Sequence, residues 1–284
     1  MLSFYRAFVM VFVLFAGRVS DLGAQSREDV AREREDYLSW LETATNSPLA
    51  AVARQPLGAG VRLGPPDADI PLRDVAEHTI EMRGGALLLK TPSGRQPVSR
   101  GRPVKVGAYT LYLAASARGP VVTVFGKPSE KKPPGYYEYD PAVVFIGPLL
   151  PAKNPQRLRV VAADGVEVEA TEAGSIVISL GALTRLRVMR IPSAGGEESE
   201  LEIFFRDESN TQGTYPAGRF VSLIPLPDGQ YRLDFNRARN PFCAYSAVYP
   251  CPAPWRGNSI PAPVRAGERY AGGGLQAPPV LEVK

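Results

Sequence analysis

Short apolar segments separated by turn residues dominate the chain from about residue 57 onward. In a β-strand, alternation places every second side chain on the same face, and closely spaced turns join neighbouring strands. Gly or Pro separates the segments in the first half, which lie at 61–63, 78–82, 86–90, 109–115 and 121–125. The pattern predicts a small antiparallel β domain, a sandwich or a barrel, over residues 57–126.

A second series of apolar segments follows a charged, Pro-rich stretch that predicts a linker before residue 136. These segments lie at 136–145, 158–163, 166–171, 175–180, 183–191, 201–207, 220–224 and 231–235. The turn residues Asp164-Gly165, Ala173-Gly174 and Pro225-Leu226-Pro227-Asp228-Gly229 predict hairpins between successive strands. We therefore expect a second β domain over residues 136–270 and a flexible tail over residues 271–284.

One helical pattern precedes the strands. Apolar residues recur at helical spacing, with Tyr37 and Leu41 on a shared face. Ser26 and Asp29 have the spacing of a capping box, which predicts that the helix begins at Ser26. We expect residues 25–48 to form a helix that docks on the rest of the protein. The predicted fold class is therefore mainly β, with two sandwich-like halves preceded by one N-terminal helix.

The first residues have the composition of an export signal. An uncharged apolar stretch over residues 7–17 follows Arg6; it is too short to span a bilayer and has the length of a signal-peptide core. Small residues offer a cleavage point near Ala24, so residues 1–24 are predicted to be a signal peptide. The mature protein is then secreted or periplasmic and has no membrane span. The alternative is an uncleaved N-terminal anchor.

Composition narrows the function classes. The chain of 284 residues contains 28 Pro and 27 Gly, which excludes a helical bundle or a long coiled coil because both residues break helices. The net charge is +4, but the basic residues are scattered, whereas nucleic-acid binding needs a clustered basic face. A single histidine, His78, excludes metal sites built on several histidines. We therefore predict no nucleic-acid partner, no metal and no cofactor.

Two cysteines, Cys243 and Cys251, lie close together in the part of the chain predicted to be exported. In an oxidising compartment such a pair indicates a disulfide. The alternative, a redox-active or metal-binding pair, needs CxxC spacing or further ligands, and the sequence shows neither. The bond closes a small loop, so its stabilisation is modest.

Polar residues crowd the last part of the second half and form the candidate site. We single out nine of them as candidate ligand-binding residues: Arg206, Asp207, Tyr215, Arg219, Asp234, Asn236, Asn240, Asn258 and Glu268. An Arg facing a carboxylate can pair bidentately with it. These side chains either form a hydrogen-bonded network beneath a disulfide-pinned loop or line a pocket for a small polar or anionic ligand. Carboxylates paired with Arg and sealed from solvent favour the first interpretation.

The same region resembles the prokaryotic family known as domain of unknown function 1684, over about residues 136–270. The motifs that carry the resemblance are FRD at 205–207, TYPAGR at 214–219, DFNRARNPFCA at 234–244, CP at 251–252, Asn258 and AGE at 266–268. The family name implies no established reaction. More weakly, residues 57–125 resemble a forkhead-associated sandwich, but the Arg and Ser that bind phosphothreonine in those modules are missing here.

The sequence thus predicts an exported protein of unknown function, a small-ligand or envelope-associated binding module in which the C-terminal motifs form a polar pocket. The alternative is an uncharacterised hydrolase that uses Asp207, Asp234 or Glu268 as acid–base groups. Two carboxylates about 5–10 Å apart in an open cleft would favour the hydrolase. A divalent-cation site from Asp207, Asp234 and Asn236 is a third possibility, because oxygen ligands suit such ions.

Overall fold

The computed structural model describes residues 16–128, 134–192, 199–253 and 255–270, with side chains from residue 26 onward. Most of the predicted signal-peptide core, the centre of the predicted linker and the predicted flexible tail therefore lie outside the described residues. Within them the protein is mainly β with one long N-terminal helix, as the sequence predicts.

The N-terminal helix, α1 (Ala16–Thr43), begins well before the predicted start. No proline interrupts the chain upstream of Ser26, so the backbone at Ser26 continues a helix and no capping box is needed there. The Ser26 hydroxyl consequently has no hydrogen-bond partner among the described residues. The predicted docking face is confirmed, because Leu41 is buried and Tyr37 packs beside it.

The first half of the chain forms two sheets. One sheet has the strand order β1-β9-β8-β7 and the other the order β3-β2-β4-β5-β6. The strands are β1 (Ala51–Pro56), β2 (Gly60–Gly64), β3 (Ile70–Pro71), β4 (His78–Arg83), β5 (Ala86–Thr91), β6 (Gly94–Pro97), β7 (Val104–Val106), β8 (Tyr109–Ala114) and β9 (Val121–Phe125). Apolar side chains of both sheets form one buried cluster.

The second half forms one large sheet with the order β10-β17-β16-β15-β14-β13-β11; β12 pairs with β13, and β18 pairs with β15. Its strands are β10 (Val144–Gly147), β11 (Leu150–Pro151), β12 (Arg157–Val161), β13 (Glu167–Leu180), β14 (Ala182–Pro192), β15 (Ser199–Asp207), β16 (Arg219–Pro225), β17 (Tyr231–Asp234) and β18 (Ser259–Ile260). The largest core cluster packs against one face of this sheet and includes Ile203 and Phe205 of β15.

Two local predictions in the second half are wrong. The hairpin expected at Ala173-Gly174 is a bulge within the single long strand β13, because Gly174 adopts a φ of +154° where the edge strand β11 approaches closely. The strand expected over residues 136–145 is mostly irregular, because Pro141 lacks a backbone N–H and the Asp140 carboxylate accepts the Ala142 N–H at 2.8 Å instead.

Hydrogen bonds cross between the two halves. The Ala117 N–H donates to the Glu167 carbonyl at 2.8 Å, and Nη2 of Arg54 donates to the Gly165 carbonyl at 2.8 Å. The division of the chain into separate domains, and the forkhead-associated likeness of the first half, stay predictions.

Candidate functional site

Arg219 and Asp207 form a buried ion pair on the core face of the sheet. Nη2 of Arg219 lies 3.1 Å from Oδ2 of Asp207, and both side chains are 0 % exposed. The guanidinium also donates to the carbonyls of Val264 at 2.7 Å, Ala266 and Glu268. Burial lowers the pKa of Arg219. The pair therefore holds the segment after β18 against the sheet and is sealed from solvent.

The other oxygen of the Asp207 carboxylate is equally occupied. Oδ1 accepts the N–H groups of Ser209 at 2.8 Å and Val264 at 3.0 Å, and it also accepts the Ser209 hydroxyl. The Asp207 N–H donates to Oδ1 of Asn210 at 2.7 Å. Both oxygens of the Asp207 carboxylate thus have protein partners, which is the geometry expected of a structural network, although Nε of Arg219 is buried without a hydrogen-bond partner among the described residues.

Asp234 and Asn236 form a second buried arrangement where β17 ends. Oδ1 of Asp234 accepts both the backbone N–H and the side-chain amide of Asn236 at 2.9 Å. Asn236 in turn exchanges two hydrogen bonds of 2.8 Å with the backbone of Asp140. Both residues are 0 % exposed, so they fasten the chain before β10 to the end of β17.

The side chains of Asn258, Arg206 and Tyr215 do not take part in these hydrogen bonds. The Asn258 side chain bridges β14 and β15: it accepts the Arg187 N–H at 2.7 Å and donates to the Phe204 carbonyl at 3.0 Å. The half-buried Arg206 side chain has no hydrogen bond or ion pair with any described residue. The structure therefore connects Asp207, Arg219, Glu268 and Asn240 in one chain of contacts, whereas the side chains of the other five candidate residues have their contacts elsewhere or have none.

Tyr215 belongs to the region of the two cysteines. Cys243 and Cys251 lie at disulfide distance, with their Cα atoms 5.4 Å apart, which is the predicted pairing. The Tyr215 hydroxyl contacts both sulfur atoms at 3.3 Å. Burial raises the pKa of Tyr215 to about 12, so this phenol stays neutral at physiological pH.

Glu268 lies in a cluster of tyrosines and is 0 % exposed. Its Oε2 accepts the Tyr245 hydroxyl at 2.6 Å and the Asn240 N–H at 2.7 Å, and its Oε1 accepts the Tyr136 hydroxyl at 3.4 Å. Burial raises the pKa of Glu268. Oδ1 of Asn240 is buried without a hydrogen-bond partner in the described part of the chain. This cluster forms the floor beneath α1.

A cleft of about 530 Å³, which we call the main cleft, separates α1 from the outer face of the C-terminal sheet. Residues of α1 line one wall, and residues of β16 and of the chain after β17 line the other. The lining includes Val30, Arg34, Tyr37, Ser222, Ile224 and Arg239. Tyr136, a member of the Glu268 cluster, also contributes to the cleft.

Three arginines line the main cleft and differ in their partners. Arg34 fastens α1 by donating to the carbonyls of Tyr137 at 3.0 Å and Asn236 at 2.9 Å. Arg237 pairs with Glu33 and Asp234. Arg239 is exposed as a whole residue, its guanidinium lies 5.7 Å from the ring centre of Tyr37, and it has no hydrogen bond or ion pair with a described residue. Arg239 is therefore the cation available to a ligand.

The main cleft is not among the features that the sequence predicts. Arg239 belongs to the motif at 234–244, and the sequence predicts only a docking role for Tyr37. The helix sequence contains one indication of a polar site beneath it. Arg34 shares the docking face with Tyr37 and Leu41, and a charged residue on a docking face needs a partner.

Across the described ranges, no group of three or more His, Cys, Asp or Glu side chains is arranged to hold a metal ion. None of the helices in the same part of the chain combines the length and apolar character that crossing a membrane requires.

The fold and its buried polar network define a mainly β protein whose C-terminal sheet carries the motifs. Residues 134–269 match the family described as "Protein of unknown function (DUF1684)". This match lies in the C-terminal part of the chain, where the motifs predict it.

One similar solved structure is that of an uncharacterized protein of Haloarcula marismortui, determined by solution NMR. It is 31 % identical, the match covers 48 % of this chain and 75 % of that one, and the TM-score is 0.41. No curated protein matches the chain.

Proposed function

We propose that the protein is exported and binds a small anionic ligand in the main cleft, with Arg239 as the principal donor. The observation that carries the proposal is the guanidinium of Arg239, which lines a cleft of about 530 Å³ and has no hydrogen bond or ion pair with a described residue. A cleft of this volume is in the usual range for small-molecule sites. An unpaired guanidinium offers a planar set of donors that suits carboxylate or phosphate groups.

The surroundings of Arg239 support this assignment. Tyr37 lies against its guanidinium and gives the cleft an aromatic wall on which an apolar part of the ligand can pack. Val30 and Ile224 add apolar surface at the same cleft. A ligand with a charged group and a short apolar body fits these neighbours.

In this proposal, the other candidate residues build the site without touching the ligand. Arg219 and Asp207 hold the segment that ends in Glu268, and Glu268 receives the hydroxyls of Tyr136 and Tyr245 beneath α1. The hydrolase alternative gains no support from its three carboxylates, because Asp207, Asp234 and Glu268 are buried and hydrogen-bonded within the protein.

The test titrates the mature protein with glutarate and with inorganic phosphate by calorimetry. We expect saturable binding of at least one probe, with a dissociation constant of about 1 mM or lower. Because a charge-assisted hydrogen bond contributes about 1.5–3 kcal/mol, Arg239→Gln should weaken binding about tenfold or more.

Arg265→Gln is the matched control, because Arg265 is exposed and does not line the cleft. Its affinity should equal that of the unmodified protein. Absence of saturable binding for both probes, or equal affinity in Arg239→Gln, would refute the proposal.

Export is tested separately by sequencing the N-terminus of the protein from its native host. A mature chain that begins near Gln25 supports export, whereas a cell-associated chain that retains residues 1–24 contradicts it.

A further inference from the structure

A smaller cleft of about 220 Å³, which we call the side cleft, adjoins the main cleft, because Tyr37 and Arg239 line both. Beyond these two residues, its polar side chains are three carboxylates and one amide. They belong to Asp164, Glu200, Glu202 and Asn240. Arg239 is the single cationic residue that lines it among the described residues. The side cleft is therefore rich in acceptors and poor in donors.

Glu202 is the most unusual of these residues. It lies on β15 opposite Ser222, on the face of the sheet that α1 covers, and it is 5 % exposed. Its carboxylate has no hydrogen bond or ion pair with any described residue. Burial raises the pKa of Glu202 to about 7; Arg239 opposes this rise, and Glu200 and Asp164 reinforce it. A buried carboxylate without a partner is costly to keep, which makes it unusual as mere scaffolding.

Asn240 supplies a second, independent observation. It is 2 % exposed and lines the same cleft, and its Nδ2 donates to the Arg269 carbonyl at 3.2 Å. Its Oδ1 has no donor within the described part of the chain. Two acceptors of different chemistry, on buried residues that line one small cleft, thus lack donors among the described residues. Buried polar groups in proteins normally have partners.

We infer that the side cleft binds a primary ammonium group, with Glu202 as its main acceptor. An ammonium group carries three donors and one positive charge, which matches a wall of carboxylate and amide oxygens. The described carboxylates are not arranged to hold a metal ion, so an organic cation fits better. Because the two clefts meet at Arg239 and Tyr37, one ligand can occupy both; this part of the inference rests on the proposed function. Such a ligand has an anionic end and an ammonium end.

The test compares probes that differ only in their charged ends. Butylammonium carries the cation alone, butyrate and caproate carry the anion alone, and γ-aminobutyrate and ε-aminocaproate carry both. We expect butylammonium to bind and one of the two amino acids to bind at least about tenfold more tightly than the carboxylate of equal length. A tenfold gain corresponds to about 1.4 kcal/mol, which one charge-assisted hydrogen bond can supply.

Glu202→Gln keeps the shape of the side chain and removes its charge. It should weaken butylammonium binding about tenfold and abolish the advantage of the amino acids over the carboxylates. Glu208→Gln is the control, because Glu208 is exposed near the end of the same strand and does not line the side cleft. It should change neither affinity.

The outcomes separate the two proposals. If no ammonium probe binds, or if Glu202→Gln binds them as well as the unmodified protein, the inference is overturned. If carboxylates bind through Arg239 while the ammonium group adds nothing, the anion site stands and the ammonium site fails. If butylammonium binds through Glu202 while no carboxylate binds, the ammonium site stands and the proposed anion site fails.

Discussion

Asp207 and Glu202 are buried carboxylates on the same strand, β15, but they face opposite sides of the sheet. Asp207 points with Ile203 and Phe205 to the core side, where Arg219 and backbone N–H groups satisfy both of its oxygens. Glu202 points to the side covered by α1 and lacks a hydrogen-bond partner among the described residues.

Burial alone therefore does not distinguish a structural carboxylate from an available one. Asp207 exchanges its hydration for fixed donors, so its charge is compensated within the fold. Glu202 is a buried residue without a donor among the described residues, and burial raises its pKa. The difference arises from packing: backbone N–H groups close over Asp207 on the core face, whereas Glu202 lines the side cleft on the other face.

The largest expected effect on stability comes from breaking the buried ion pair between Asp207 and Arg219. Asp207→Asn leaves the Arg219 guanidinium buried without its counter-charge, and we expect the free energy of unfolding to fall by about 3–5 kcal/mol. Urea denaturation measures the loss. Asp228→Asn, in an exposed turn, serves as the control and should change stability far less. A loss no larger than in this control would show that the pair is not a main support of the fold.

In contrast, we expect Glu202→Gln to raise the free energy of unfolding. The folded carboxyl, with a pKa of about 7, holds a proton that the unfolded chain releases near its ordinary value of 4.5. The contribution of this group to stability therefore falls as pH rises from about 4.5 to 7 and stays lost above 7. We expect the variant to match the unmodified protein near pH 4 and to exceed it by up to about 3 kcal/mol at pH 8.

Denaturation at several pH values measures this difference, with Glu208→Gln as the control that should show none. A variant that is no more stable at pH 8 than at pH 4, relative to the unmodified protein, would mean that Glu202 has a partner in solution. Arg239, whose positive charge opposes the rise in the pKa of Glu202, is the candidate for that partner.

The third and smallest expected effect comes from removing the disulfide. It tests whether the disulfide and the Asp207–Arg219 ion pair stabilise the fold independently. Replacing Cys243 and Cys251 by Ser opens a loop of small length, and we expect a loss of about 2–3 kcal/mol. Since Asp207 does not contact this loop, its loss should add to that of Asp207→Asn. A combined loss clearly different from the sum would indicate that the two supports are coupled through Tyr215 or Glu268.

Local patterns predicted the strands well where they reflect short-range chemistry. The run at 121–125 coincides with β9, and the Asp164-Gly165 turn connects β12 to β13 as expected. The hairpin prediction at Gly174 is wrong because glycine permits both a bulge and a hairpin turn, and the local sequence does not distinguish the two. The choice depends on the approach of β11, which lies distant in sequence.

The site was less predictable than the strands. The sequence points to the motif residues because polar side chains are concentrated in that region. In the structure most of them have protein partners, as Asp207 and Asn236 do. Sequence alone does not reveal which carboxylate finds a partner. Glu202 resembles any strand glutamate in the sequence, and the residues that line the side cleft with it, among them Tyr37, Asp164 and Asn240, lie far from it along the chain.

The main cleft draws its two walls from different parts of the chain. Arg239 and Ile224 lie within the segment shared with the family, whereas Tyr37 and Val30 belong to a helix that precedes it. A relative that keeps every motif but carries a different N-terminal helix would retain the cleft wall formed by the C-terminal segment and would lack the wall formed by α1. Ligand preference can therefore diverge among proteins whose common segment is unchanged, and exchanging only the leading helix between two relatives should transfer that preference.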